Sequence, residues 1–443
     1  MKLDAHINDQ PIGALHFDEE SRRFAFEYAA TWLARVDHFP LSPVLASEQL
    51  AALSEERASA AVRQFFQNLL PEGQALEDVA NANRVSKTNL FAILRVIGRE
   101  TAGALAMTAD DDGVVAATMP GRLVTEAELS SRIRARAQLP LSVWDGRMRL
   151  SIAGVQDKVA LYVRDDAWFL SNAARQASTH IFKPDPQQPA LAHLTTNEFF
   201  CMKLAQAAGL TVAECDLIHV PEPVLVIKRF DRQLQTDGEV TRLYVIDGCQ
   251  LLGLPADYKY EHNMGSGQDV QHIRDGASLP WLFRSAGDHF SRPIERMTFL
   301  LPWLLIQVLL GNNDAHAKNL SFFVDSSGLW PTPSYDLVCT EIHQGLDQEM
   351  AMAVGDAFVY EALTPYEWAH FAHLCQIPRA LLVQQMRHWA KAVRAVLEST
   401  RLLVTAKGGD EDCIERITAF VAARCDRMQQ DADAVKQLSR DLF

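Results

Sequence analysis

A chain of 443 residues is long enough for two or three domains and for a core that needs neither disulfide nor metal staple. Its 48% hydrophobic and 22% charged residues are those of an ordinary globular protein, and a formal net charge of -14 argues against a chain that grips nucleic acid by itself, because neutralising phosphates takes clustered Lys and Arg. Seven scattered cysteines without a C-x-x-C pair read as reduced thiols of a cytoplasmic protein, and the acidic, polar opening MKLDAHINDQ lacks the pattern of a secretory signal.

From Lys2 to Tyr28 apolar and polar residues alternate between turns at Asn8-Asp9-Gln10 and Asp18-Glu19-Glu20-Ser21, which predicts a small β-meander. Ala58, Val62, Phe65, Phe66, Leu69 and Leu70 then recur at helical spacing until Pro71 and Gly73 stop the pattern. A second helix is expected from about Ser86 to Ile97, with Gly98 just past its end. The stretch from Thr108 to Thr125 has no period and reads as a linker or exposed hairpin at a domain boundary, with Asp110-Asp111-Asp112 a solvated turn.

Short β-rich runs follow: Val159 to Val163, Trp168 to Leu170, His180 to Phe182, Leu217 to Val220, Val224 to Ile227 and Leu243 to Val245. One helix interrupts them, opening at Thr195-Thr196-Asn197-Glu198, where Thr195 and Glu198 have capping-box spacing, and closing at Gly209. The pattern describes an α+β lobe with a mainly antiparallel sheet. After Gly248 the remainder reads as helices with few exceptions. Phe299 to Leu310, interrupted by Pro302 and Gln307 and too short to cross a bilayer, is expected to be a core helix, and Thr364-Pro365-Tyr366-Glu367 is a helix start.

The segment Gly311-Asn312-Asn313-Asp314-Ala315-His316-Ala317-Lys318-Asn319 carries D-x-x-x-x-N, the spacing with which a kinase catalytic loop aims an Asp at the substrate hydroxyl and an Asn at Mg²⁺. Seventeen residues after Asn319, Asp336 offers a second carboxylate, and Mg²⁺ takes hard oxygen ligands and usually one or two protein carboxylates. An Asp and an Asn five apart are also common turn residues. Their order along the chain separates the two readings: Lys183 at the end of a β-run, Glu198 early in a helix, the apolar helix, the Asp/Asn loop and a later Asp follow the sequence a protein kinase requires. Glu198 is open to two roles, a capping-box partner or an ion pair with Lys183. Neither G-x-x-x-x-G-K-[ST] nor G-x-G-x-x-G occurs, and the position of a phosphate-covering loop is held by Ser151-Ile152-Ala153-Gly154-Val155-Gln156-Asp157-Lys158.

S-x-x-G-x-Q-x-K at Ser151 to Lys158, T-H-I-x-K at Thr179 to Lys183, Asn197-Glu198, R-F-D-R at Arg229 to Arg232, C-Q-x-x-G-x-P at Cys249 to Pro255, K-Y-E at Lys259 to Glu261 and G-x-x-D-x-H-x-K-N at Gly311 to Asn319 together resemble the HipA family, in the family's order. Phe65 to Gly73, Ile97-Gly98 and Gly103-Ala104-Leu105 extend the resemblance to the family's N-terminal accessory domain, so that it covers about the full chain. The resemblance implies an α+β, bilobal protein-kinase-like fold, with an accessory domain at 1–125, a β-rich N-lobe at 126–247 and an all-α C-lobe at 248–443. It implies an ATP- and Mg²⁺-dependent serine/threonine protein kinase acting as the toxin of a type II toxin–antitoxin system. Asp314 would orient the hydroxyl, His316 and Lys318 would lie beside the γ-phosphate, and Asn319 and Asp336 would hold Mg²⁺. Lys183 would pair with phosphates, the loop with Ser151, Ala153, Gly154, Val155, Gln156 and Lys158 would cover them, and the backbone of Ile246, Asp247 and Gly248 would contact adenine. Relatives with a serine at the position of Ser151 autophosphorylate there and switch themselves off. The implied partners are a HipB-like helix-turn-helix antitoxin, operator DNA reached only through it, and a protein substrate such as an aminoacyl-tRNA synthetase, glutamyl-tRNA synthetase in particular. No membrane partner is implied, and the chain would be nucleoid-associated when bound to the antitoxin.

Two other functions share parts of this pattern: a small-molecule or lipid kinase with the same constellation, and an inactive kinase fold serving as a binding module. The intact set of Lys183, Asp314, Asn319 and Asp336 speaks against decay to the second. His370, His373 and Cys375 have the types of metal ligands but sit at helical spacing among Trp368, Phe371 and Leu374, which favours a helical histidine pair over zinc. Arg229-Phe230-Asp231-Arg232 fits either a catalytic group or a strand-end salt bridge.

Overall fold

The computed structural model of the chain describes residues 1–109, 121–145, 147–148, 156–171, 176–265, 267, 269–343, 345–439 and 442–443. The chain divides into two compact units, one of Met1–Pro184, Ile218–Ile246 and Phe323–Gly328, the other of Asp185–Leu217, Asp247–Phe322 and Leu329–Phe443. It passes from one to the other five times, so neither is a continuous stretch.

In the first unit the expected meander is present as strands Lys2–Ile7, Gln10–Asp18 and Arg23–Tyr28, to which Leu105–Thr108 adds on the free edge of Lys2–Ile7. Alternation decides which face is covered: Leu3 and Ala5 on one strand, and Phe24 and Phe26 on another, point into the core. The helix Glu55–Gln67 starts where Ser54 caps the N–H of Arg57 and buries Val62, Phe65 and Phe66. The helix ending at Gly98 is Leu90–Ile97, shorter than expected, because Ser86 turns back on Thr88 and Asn89 is the residue that caps, accepting from the N–H of Ala92. A further helix, Gly73–Asn83, begins where the sequence pattern was expected only to stop.

Strands Pro223–Lys228, His180–Pro184, Val159–Arg164, Ala167–Leu170 and Leu123–Val124 lie side by side in that order with antiparallel pairing. Their inward residues, including Val159, Leu161, Leu170, Phe182 and Val224, pack with Leu129, Ile133 and Trp144. The predicted strand at Leu243 to Val245 is Val245–Asp247 instead, since the N–H of Leu243 is taken by Asp231 O. The predicted turn at Asp110 to Asp112 lies outside the described residues.

The second unit is helical apart from short strands at Ser321–Asp325 and Gly328–Pro331, where the chain leaves and re-enters it. Helices Arg379–Ala406 and Glu411–Gln437 run along each other and pack on Leu194–Ala207 and Leu301–Leu310. Leu301–Leu310 is buried on every side, which explains its apolar composition without a membrane. Among the described residues no helix is long and apolar enough to cross a bilayer. Thr364 caps Pro365–Leu374 as its sequence predicted. All seven cysteines are free thiols.

The capping box expected at Thr195 and Glu198 does not form. The helix Leu194–Ala207 begins one residue earlier behind His193, and both the N–H and the hydroxyl of Thr195 are committed to Asp185 Oδ1 at 2.8 Å. Glu198 is fully buried on that helix.

Candidate active site

Gly311 ends the buried helix in the left-handed conformation (φ 71°), and a Cβ there would lie 2.3 Å from the Phe420 ring, so only glycine lets the chain turn at this point. The loop that follows is held from several directions. Asn312 donates through Nδ2 to Gln307 Oε1 at 2.8 Å and to Asp336 O at 3.3 Å. The N–H of Asn313 donates to Thr340 Oγ1 at 2.8 Å, its Nδ2 to Glu341 Oε1 at 2.7 Å, and its carbonyl accepts from the N–H of Ala351 at 2.8 Å. These bonds fix the backbone around Asp314 without engaging its carboxylate, which is exposed.

The carbonyl of Asp314 accepts from the N–H of His316 and from Asn319 Nδ2, each at 2.8 Å. The first and last members of the D-x-x-x-x-N spacing are thereby tied together. Tyr335 fixes the approach to Asp336: its hydroxyl donates to Lys318 O at 2.8 Å and lies 2.7 Å from Ser321 Oγ. Asp336 itself has φ 57°, a left-handed conformation that Asp tolerates better than most side chains. Asn319 and Asp336 present hard oxygens next to one loop, a donor set that fits Mg²⁺.

His316 is nine-tenths buried, and its Nδ1 has no hydrogen-bond partner among the described residues. Burial pushes its imidazole down to about 3, Lys259 adds to the fall and Asp336 opposes it. A histidine in this position is neutral at any physiological pH and can act there as a hydrogen-bonding group, not as a cation. Lys318 is buried too, and its ammonium is 2.6 Å from Asp247 Oδ2. The other oxygen of Asp247 accepts from the N–H of Gln250 at 2.8 Å, completing a capping box for Gly248–Leu252. The N–H of Gly248 donates to Leu320 O at 2.9 Å, and a Cβ on Gly248 would stand 2.5 Å from Ala317 O. Asp247, Gly248 and Lys318, distant in sequence, are therefore one packed group.

The first unit carries the remaining expected residues. Lys183 is buried in the strand His180–Pro184, paired across to Leu225. Lys158 is buried just before the strand Val159–Arg164, and Gln156 donates through Nε2 to Pro184 O at 3.4 Å. Ile246 is buried in Val245–Asp247. Ser151, Ala153, Gly154 and Val155 lie outside the described residues.

Two motifs without an assigned chemistry also resolve. Arg229 meets Asp231 through Nε at 2.9 Å and Nη2 at 2.7 Å, and Asp231 also accepts from Arg232 at 2.8 Å and from the N–H of Gly103 at 2.7 Å. Burial would push the Asp231 carboxyl up, but the guanidiniums of Arg229 and Arg232 outweigh it and hold it well below the usual range. The strand-end salt bridge is thus what R-F-D-R builds. His370, His373 and Cys375 do not converge; His370 Nδ1 is 3.2 Å from Asp356 Oδ2, and both histidine rings stack on Phe443. Sequence reasoning missed Asp247, Thr340 and Tyr335 as supports, and it gave Tyr260 no role, although K-Y-E was visible.

Family models match over most of the chain: a HipA-like C-terminal domain at residues 150–400 and a HipA N-terminal domain at residues 3–108. The serine/threonine-protein kinase toxin HipA of Shewanella oneidensis is 34% identical over 441 residues, 99% of this chain and 98% of its own. The Sinorhizobium fredii protein Y4mE is 32% identical over 384 residues, 85% of this chain and 87% of its own. Among solved structures, the complex of the Shewanella oneidensis toxin–antitoxin system HipA, HipB and its operator DNA matches with a TM-score of 0.86 at 33% identity, over 99% of this chain and 100% of that one.

Proposed function

Since the chain belongs to the HipA family of serine/threonine-protein kinase toxins, we propose that it transfers the γ-phosphate of ATP to a serine or threonine of a protein, with Asp314 as the group that receives the acceptor hydroxyl. The observation that carries this reading is the geometry of the loop. An exposed Asp314 carboxylate stands on a backbone locked by Gln307, Thr340 and Ala351, and Asn319 and Asp336 are tied to the same loop.

In the proposed reaction the hydroxyl oxygen forms the new bond to the γ-phosphorus, the bond to the β-phosphate oxygen breaks, and ADP leaves with the electron pair. Asp314 orients the hydroxyl and takes its proton. Asn319 and Asp336 would hold Mg²⁺, which supplies charge neutralisation on the phosphates. Lys183 and Lys158 would add positive charge to that end of the nucleotide, and the backbone of Ile246, Asp247 and Gly248 would meet the base. Neutral His316 would offer a hydrogen bond next to the γ-phosphate. Lys318, paired with Asp247, would act there mainly by fixing the loop. Such transfer depends on positioning and electrostatics far more than on covalent chemistry, so few side chains suffice.

The same reading extends to the regulation and partners of the family. Ser151, with Ala153, Gly154, Val155 and Gln156, would cover the phosphates, and phosphorylation of Ser151 would add about -1.5 to -2 charges where ATP already concentrates negative charge. A HipB-like antitoxin would carry the chain to operator DNA, in keeping with the net charge of -14, and the solved HipA–HipB–operator complex supports that partner. An aminoacyl-tRNA synthetase is the substrate class proposed, in a cytoplasmic setting, with an accessory domain to 125, an N-lobe to 247 and a C-lobe beyond.

The test is mass spectrometry of the purified chain after incubation with Mg·ATP and a library of serine- and threonine-containing peptides. Phosphate is expected on the peptides and on Ser151, and on neither with Asp314→Ala. Transfer only to a lipid or small metabolite, or none at all, would overturn the reading.

A further inference from the structure

The segment Lys259-Tyr260-Glu261 is far from the catalytic loop in sequence and lies against it in the second unit. Lys259 O accepts from the N–H of Ala317 at 3.2 Å. The Tyr260 ring meets the His316 ring edge-on, with centroids 5.1 Å apart, and its hydroxyl donates to Asp314 Oδ1 at 2.6 Å. A bond of that length from a neutral phenol to a carboxylate belongs to the strong, charge-assisted class.

The frame around Tyr260 is over-determined. The N–H of Glu261 donates to Ala351 O at 2.8 Å, and the N–H of Ala351 donates in turn to Asn313 O, the residue before Asp314. Glu261 is buried, accepting from the N–H of Ala353 at 2.8 Å and from Arg274 Nε at 2.8 Å. Gly276 passes so close that a Cβ would overlap Tyr260 O, and its N–H donates to Glu261 O at 3.2 Å. The backbone that carries the phenol and the backbone that carries Asp314 are thus fixed to each other through Ala351.

We propose that Tyr260 is a positioning residue for phosphate transfer, its phenol holding one oxygen of Asp314 so that the carboxylate stays turned to receive the acceptor hydroxyl. This rests on the reading of Asp314 as the hydroxyl-orienting group. A carboxylate has about four acceptor positions, so the phenol can stay in place while the acceptor hydroxyl donates to the same group. An exposed carboxylate without such a partner would sample several rotamers, few of them productive.

The experiment compares wild type, Tyr260→Phe and Asp314→Ala, with the Ser/Thr peptide library and labelled Mg·ATP. Tyr260→Phe should lower kcat by about tenfold or more, the size of one hydrogen bond to a charged group. KM for ATP and the melting temperature should stay as in wild type, so that kcat falls alone. A variant with wild-type kcat would overturn the proposal. So would one that loses kcat, ATP affinity and melting temperature together, because Tyr260 would then be only part of the fold. If wild type transfers no phosphate, or Asp314→Ala keeps transferring it, the reading of the site fails instead, which the same assay reports separately.

Discussion

The charges at Arg229, Asp231 and Arg232 and those at the loop of Asp314 are both products of recognisable motifs, yet they are satisfied in opposite ways. Asp231 spends its oxygens on Arg229, Arg232 and the N–H of Gly103, and the guanidiniums go on to Ser178 Oγ and the carbonyls of Thr101 and Gly103. That network is buried, although Arg232 Nε has no partner among the described residues, and it binds the chain near 101–103 to the strand end at 229. Around Asp314 the backbone is equally well tied, but the chemistry is left outward: the carboxylate is exposed and the buried Nδ1 of His316 has no partner among the described residues. A carboxylate buried among guanidiniums holds a fold together; a rigid frame that turns its carboxylate outward is built for something else.

The largest effect that would sharpen this contrast is Asp314→Ala. It should reduce kcat by about 10²–10⁴-fold or to background, with ATP affinity and melting temperature unchanged, measured by single-turnover transfer and thermal shift. Asp231→Ala should do the reverse. It takes from two buried guanidiniums the carboxylate that accepts from both, leaving them Glu100, which destabilises by up to about 3–5 kcal/mol in a denaturant titration, while transfer per folded molecule persists. Loss of activity at constant stability in that variant would put Asp231 in the chemistry and erase the distinction.

A smaller effect concerns His316. Its folded imidazole titrates at about 3, against 6.5 for the free side chain. As pH falls below 6.5 the unfolded chain takes up this proton and the folded one does not, so the contribution to stability is complete above 6.5 and is lost progressively from there toward 3. The slope from this group is at most about 1.4 kcal/mol per pH unit. His316→Asn should flatten the fall of unfolding free energy between pH 6.5 and 4 by that amount; identical slopes in the two proteins would show that the imidazole titrates freely.

Much of this architecture was legible in the sequence because it depends on local pattern. The alternation of Leu3 and Ala5, the helical spacing of Val62, Phe65 and Phe66 and the cap at Thr364 each need only neighbours within a few residues. The apolar run ending at Gly311 was legible for the same reason. What was missed depends on distant partners. Thr195 looked like a cap until Asp185, ten residues earlier, claimed its hydroxyl. Asp247 gave no sign of reaching Lys318, and Tyr260 gave none of reaching Asp314, because no spacing rule links residues 71 or 54 positions apart. The helix at Gly73–Asn83 escaped because Pro71 and Gly73 punctuate a chain equally well at the end of one helix and the start of the next.

The most direct test of the central claim is a phosphoproteome of cells expressing either the wild-type chain or Asp314→Ala at equal levels. New serine or threonine phosphosites on one or a few proteins, together with phosphorylated Ser151, are predicted with the wild type alone. Indistinguishable phosphoproteomes from the two, with growth inhibited equally by both, would contradict it.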